Sequence, residues 1–130
     1  MSGFTTSNGT IYDPNGNVFV ARGIDVMYGN NPTVTQLQTD FPGINFVRLA
    51  IYNYDSPQSL ASYVNSLTSA GIVVELENHN NGAGNAGGDQ GTIFTGSALA
   101  QEQNWYSSVA SYFSNNPYLD FGGFGVCQAA

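Results

Sequence analysis

Apolar positions along this chain fall into two kinds of pattern. "INFVRLAIY" and "IVVELEN" are short and almost continuously apolar, as strands buried on both faces are. Between them, "SPQSLASYVNSLTSAG" sets Leu60, Tyr63, Val64 and Leu67 on one side of a helix. Ser56 suits its N-cap, Pro57 its first turn and Gly71 its end. "TVTQLQTDF", with Val34, Leu37 and Phe41, predicts a shorter helix before it. "SALAQEQNWYSSVASYFSNNP", with Tyr106, Val109 and Phe113, predicts a longer one after it. "ARGIDV" reads as the first strand and "YLDFGGFGV" as the last. Ahead of them, Ile11 and Tyr12 run into Asp13-Pro14-Asn15-Gly16 and out through Val18, Phe19 and Val20, a hairpin pattern.

Strands that alternate with helices imply parallel βαβ units with right-handed crossovers. The expectation is an α/β fold of four parallel strands and three helices over residues 21–126. An N-terminal hairpin (1–20) precedes it and a short tail (127–130) follows. A chain of 130 residues forms one domain, 1–130, with a genuine core. "HNNGAGNAGGDQGTIFTG" reads as a long surface loop, and such loops are often functional.

Composition narrows the partners. Charged residues make up 8% of the chain, against about 25% in ordinary soluble domains. Lysine is absent, and Arg22 and Arg48 are the only arginines. A net charge of −7 argues against nucleic acid and against anionic membranes, both of which ask for clustered Lys and Arg. No apolar run approaches the roughly 20 residues of a membrane span. Asn, Gln, Ser, Thr and 8 tyrosines supply the polarity instead, which suits neutral, hydroxyl-rich partners such as sugars. The single Cys127 has no disulfide partner, and no metal-ligand spacing or cofactor motif is present. Asn8-Gly9-Thr10 fits a glycosylation sequon, a match common by chance. "MSGFTTSNG" has no basic head or apolar stretch, so no signal peptide is read here.

In a βαβ sheet the working groups sit at the carboxyl ends of the strands. Those ends read Asp25-Val26-Met27-Tyr28, Ile51-Tyr52-Asn53-Tyr54 and Glu77-Asn78-His79-Asn80. Tyr28, Tyr52, Tyr54 and the only histidine therefore share one end of the sheet. Flat rings beside amides are what a pyranose needs, although the same tyrosines could simply cap the sheet. Period-2 alternation puts Glu75, Glu77 and His79 on one face, and Val74, Leu76 and Asn78 on the other. Two buried carboxylates need partners. Arg48 on the neighbouring strand is the expected partner of Glu77, in an ion pair that is structural on charge grounds alone. Paired carboxylates also serve glycoside hydrolysis. Glu75 and Glu77, however, point the same way from one strand and cannot flank a scissile bond. No nucleophile elbow or phosphate loop is present.

"NGNVFVARGIDV", "INFVRLAIY", "GIVVELENHN" and "NWYSSVASYFSNNPYLDFG" together resemble the first half of a family 5 glycoside hydrolase. The resemblance runs from about Gly3 to Gly122. It implies half of a (β/α)8 TIM barrel, related to cellulases that cut β-1,4-glucans and to enzymes acting on mannans. It implies that Arg48 is the active-site arginine, that His79 and Asn80 line the subsite where the bond breaks, and that Trp105 packs the third helix. In the family the fourth strand continues into Asn-Glu-Pro, whose glutamate is the acid/base, and the nucleophile glutamate lies on the seventh strand. Here "DFG" leads into "GFGVCQAA", and neither catalytic residue is found. A full barrel takes about 250 residues. The expectation is a truncated relative of a secreted endo-β-1,4-glucanase that does not hydrolyse. The alternatives are a module binding β-linked polysaccharide through Tyr28, Tyr52, Tyr54, Arg48, His79 and Asn80, and a half-barrel assembly protein with no ligand. An inner face bearing Phe46, Ala50 and Val73, flanked by open strand edges, predicts a homodimer or larger symmetric oligomer.

Overall fold

The computed structural model describes residues 3–79 and 93–122. Asn80, most of the Gly- and Asn-rich segment, and the end of the chain with Cys127 lie outside the described residues. The chain opens with β1 (Thr5–Ser7) and β2 (Thr10–Tyr12), paired antiparallel. Their two-residue connection is Asn8-Gly9, with both residues left-handed at φ 48° and 76°, as the tightest hairpins require. The Asp13-Pro14-Asn15-Gly16 turn also forms. The Asp13 carboxylate accepts the Asn15 and Asn17 amides at 2.9 Å each, but only a single bridge, Tyr12 to Val18, follows. The predicted turn thus brings Ile11 and Tyr12 back against Val18 and Phe19, whose amide donates to the Ile11 carbonyl at 2.8 Å, and the tighter Asn8-Gly9 turn adds the β1–β2 ladder ahead of it.

Four parallel strands follow in chain order: β3 (Gly23–Met27), β4 (Phe46–Ile51), β5 (Val73–Asn78) and β6 (Leu119–Gly122). Between them run α1 (Val34–Asp40), α2 (Pro57–Ser69) and α3 (Gly96–Tyr112). The four-stranded sheet with its three helices is half of a (β/α)8 barrel. Local chemistry sets the helix starts. Thr33 and Gln36 form a reciprocal capping box on α1, and Ser56 accepts the Ser59 amide at the start of α2 with Pro57 behind it. Gly71, at φ +78°, ends α2.

Alternation along the strands decides what each face carries. Val47, Leu49, Ile51, Val74 and Leu76 point outward, where Leu60, Val64 and Leu67 of α2 and Trp105 and Val109 of α3 bury them. Each such aliphatic side chain contributes about 1.5–3 kcal/mol by leaving water. The inner face is layered by register. Gly23, Phe46 and Val73 make the lowest layer, Asp25, Arg48, Glu75 and Asp120 the next, and Met27, Ala50, Glu77 and Gly122 the last. Ala50 and Val73 are buried and Phe46 half-buried. The broad apolar inner face anticipated from Phe46, Ala50 and Val73 is therefore interrupted by a charged row. Strand alternation returns a polar residue to that level on all four strands.

Gly23 lets β3 and β4 meet. A Cβ there would run into the Phe46 carbonyl oxygen and lie 2.7 Å from its carbon. At Gly3 a Cβ would meet nothing within 4 Å. Gly23→Ala is expected to lower the unfolding free energy by about 2 kcal/mol, and Gly3→Ala to leave it unchanged. Urea midpoints of the two variants check this.

Candidate functional site

The carboxyl ends of β4 and β5 gather a chain of polar side chains. Glu77 is only 1% exposed, and a charge so placed must be paired. Arg48 Nη2 lies 3.1 Å from Glu77 Oε2, and His79 Nδ1 lies 3.0 and 3.1 Å from its two oxygens. A carboxylate only accepts, so Nδ1 is the donor in this contact. Arg48 also stands 3.5 Å from Asp25 and 3.9 Å from Glu75. Burial, and then the Asp120 carboxylate beside it, push the Glu75 carboxyl up against the opposing pull of Arg48. The Tyr52 ring lies 5.0 Å from the His79 ring, tilted by 60°. Arg48, Glu77, His79 and Tyr52 thus form one connected group.

The other two tyrosines of the sequence pattern do not join it directly. The Tyr28 hydroxyl donates to the Ser59 carbonyl of α2 at 2.9 Å. Tyr54 turns toward α3, where its hydroxyl donates to Glu102 Oε2 at 3.0 Å and its ring meets Trp105 edge-on. Both pack against the outer core, so their rings serve the scaffold first. Asn80 lies outside the described residues.

Glu102 is the residue the periodicity reading passed over. It is 1% exposed, and its Oε2 accepts from both Tyr54 and the Asn78 side-chain amide. Its Oε1 has no partner among the described residues. Burial raises its pKa, against the two donors that lower it. The signal was present in the sequence. Position 102 lies three residues before Trp105 and seven before Val109, on the apolar stripe of α3. Beside it, Tyr106 accepts the Asn78 main-chain amide at 3.0 Å, and Trp105 Nε1 donates to the Asp55 carbonyl at 2.8 Å. Burial pushes the Tyr106 phenol up as well.

Glu75 and Glu77 leave the same face of β5, and Glu77 already holds Arg48 and His79. Among the described residues, no three His, Cys, Asp or Glu side chains are grouped to hold a metal ion. No described helix is long and apolar enough to cross a membrane.

No protein-family model matches the sequence, and no curated protein matches it significantly. Solved structures do resemble it. A β-mannanase from Thermomonospora fusca superposes with a TM-score of 0.68 over 96% of this chain and 42% of its own, at 23% identity. The mannohexaose complex of T. fusca β-mannanase gives the same values. The fold is that of part of a β-mannanase. This chain spans less than half of the length of that protein.

The raised pKa of Glu102 has a sign. In the unfolded chain the residue loses its proton near 4.5, while the folded protein keeps it to higher pH. Its contribution to stability is complete below 4.5 and is lost as pH rises through the folded value. Glu102→Gln does not titrate and keeps an acceptor oxygen. Relative to wild type, the variant is expected to gain stability as pH rises, with no change in the difference at low pH. Denaturant melts at about pH 4 and about pH 8 measure it.

Proposed function

We propose that this chain is a family 5-like glycoside hydrolase fragment whose sheet end binds β-1,4-linked mannan or glucan without cleaving it. The observation that carries this reading is the linked group Tyr52, His79, Glu77 and Arg48 at the carboxyl ends of β4 and β5. A tyrosine face beside an oriented imidazole offers a pyranose its apolar platform and a directional polar edge. The shared fold with a mannanase that has been solved with mannohexaose supports the substrate class. Such polymers lie outside cells, and secretion of the protein is part of this proposal.

Cleavage with retention divides its work between two carboxylates on opposite sides of the bond. Glu75 and Glu77 leave one face of one strand, so neither can complement the other. Mannohexaose or cellohexaose is expected to bind measurably in calorimetry, and Tyr52→Ala to weaken it at least about tenfold. Reducing-sugar release should stay at background. Turnover of a soluble mannan or glucan would show that a carboxylate pair does operate.

Pairing with a second copy is the other partner we propose, through the open edges of the sheet. The inner layer of Asp25, Arg48, Glu75 and Asp120 sets three carboxylates against one guanidinium, so two such faces repel. Edge pairing brings two such layers close, so the dimer should strengthen with salt. Sedimentation at about 0.05 M and about 1 M salt tests it, and a monomer at both would exclude this mode of pairing.

A further inference from the structure

We propose that Glu102 is the positioning residue of the Tyr52–His79 platform, acting from behind the sheet. Its Oε2 is an acceptor shared by two segments that end at that platform. One is the loop after β4, through the Tyr54 hydroxyl at 3.0 Å, and the other is the end of β5, through the Asn78 side-chain amide. Tyr52 lies two residues before Tyr54, and His79 directly follows Asn78. The rest of the α3 stripe works in parallel. Trp105 Nε1 holds the Asp55 carbonyl at 2.8 Å, and the Tyr106 hydroxyl accepts the Asn78 main-chain amide at 3.0 Å. Positions 102, 105 and 106 share one helix face, so three side chains of one helix reinforce a junction that the sheet makes only at the main chain, where Asn78 pairs with Ile51 and the His79 amide donates to the Ile51 carbonyl at 2.8 Å.

Backbone conformation shows what the tie has to hold. Tyr54 has φ +50°, a left-handed conformation that a tyrosine keeps only where its surroundings enforce it. Its hydroxyl bond to Glu102 and its ring contact with Trp105, 6.3 Å between centroids, supply that enforcement. A carboxylate oxygen has lone pairs for both donors, and an amide oxygen serves as well. An aliphatic residue leaves the Asn78 and Tyr54 donors without this acceptor inside the fold.

The proposal rests on the sugar-binding reading for its consequence, but the tie itself has its own reporter. Trp105 is the only tryptophan and its indole donates from α3 to the tied loop at the Asp55 carbonyl, so its emission reads the loop without any sugar. Glu102→Leu is expected to shift Trp105 emission to the red, raise its quenching by acrylamide, and weaken mannohexaose binding at least about tenfold. Glu102→Gln should restore emission and hold affinity within about twofold of wild type. Val109→Ala, on the same stripe but in the core, should lower the melting temperature and leave both readouts alone. If Glu102→Leu does not fold, Tyr54→Phe decides. It keeps the ring and removes one donor, and should cost about threefold in affinity with a smaller red shift. Wild-type emission and affinity in the folded variants overturn the proposal, as does an equal loss in Val109→Ala. If wild type itself binds no mannohexaose, the sugar reading fails, and emission alone decides whether Glu102 ties the loops.

Discussion

Burying one charge in the middle of a sheet sets terms that the neighbouring elements must meet. Glu77 has almost no contact with water, and an ion so placed costs several kcal/mol unless cations and hydrogen bonds surround it. Arg48 comes from β4 and His79 from just beyond β5, each within 3.1 Å of its oxygens. Satisfying Glu77 therefore locks the two central strands side by side and turns the imidazole ring. The orientation of His79 then determines what Tyr52 can pack against. Site geometry at this end of the sheet is in this sense a by-product of a solvation problem.

A second acid poses the same problem on the opposite face, with a different solution. Glu102 is buried as deeply as Glu77, yet its described partners are neutral, the Tyr54 hydroxyl and the Asn78 amide. Burial makes its carboxyl hold its proton more tightly than an ordinary glutamate does, and no cation stands among its described partners to oppose this. The two networks meet in the dipeptide Glu77-Asn78, whose side chains leave opposite faces of β5. One strand end thus belongs both to the inner, charged layer and to the outer, helix-covered core.

Fold was readable because each strand and helix carries its own period. Leu60, Val64 and Leu67 are the buried face of α2, and Val47, Leu49 and Ile51 are the outward face of β4, as spacing alone implies. Arg48 stands out in an apolar run, so its position beside Glu77 could be anticipated from alternation. The Asp-Pro-Asn-Gly turn was legible and forms, whereas the β1–β2 ladder ahead of it was not, because an Asn-Gly pair within a sequon looks like surface chemistry. The roles of Tyr28 and Tyr54 were not readable, since a tyrosine at a strand end can turn toward solvent or toward a helix. That choice depends on which helix groups lie within reach of the hydroxyl, and no local pattern encodes it. Glu102 was missed because a glutamate among Gln and Asn looks solvated until its place on the stripe of Trp105 and Val109 is counted.

The three levels of the inner face follow a definite sequence along the strand direction. The floor is apolar, with Phe46 and Val73 beside the bare backbone of Gly23; the middle is acidic around Arg48; the rim carries Met27, Ala50 and the enclosed Glu77. Any polypeptide or ligand lying across this surface is therefore graded by depth. It meets the Phe46 ring and the bare Gly23 backbone at the bottom, and halfway up Asp25, Glu75 and Asp120 favour a positive group. A candidate that presents those features in the reverse order finds each of them opposed, so the stacking by itself discriminates between directions of approach.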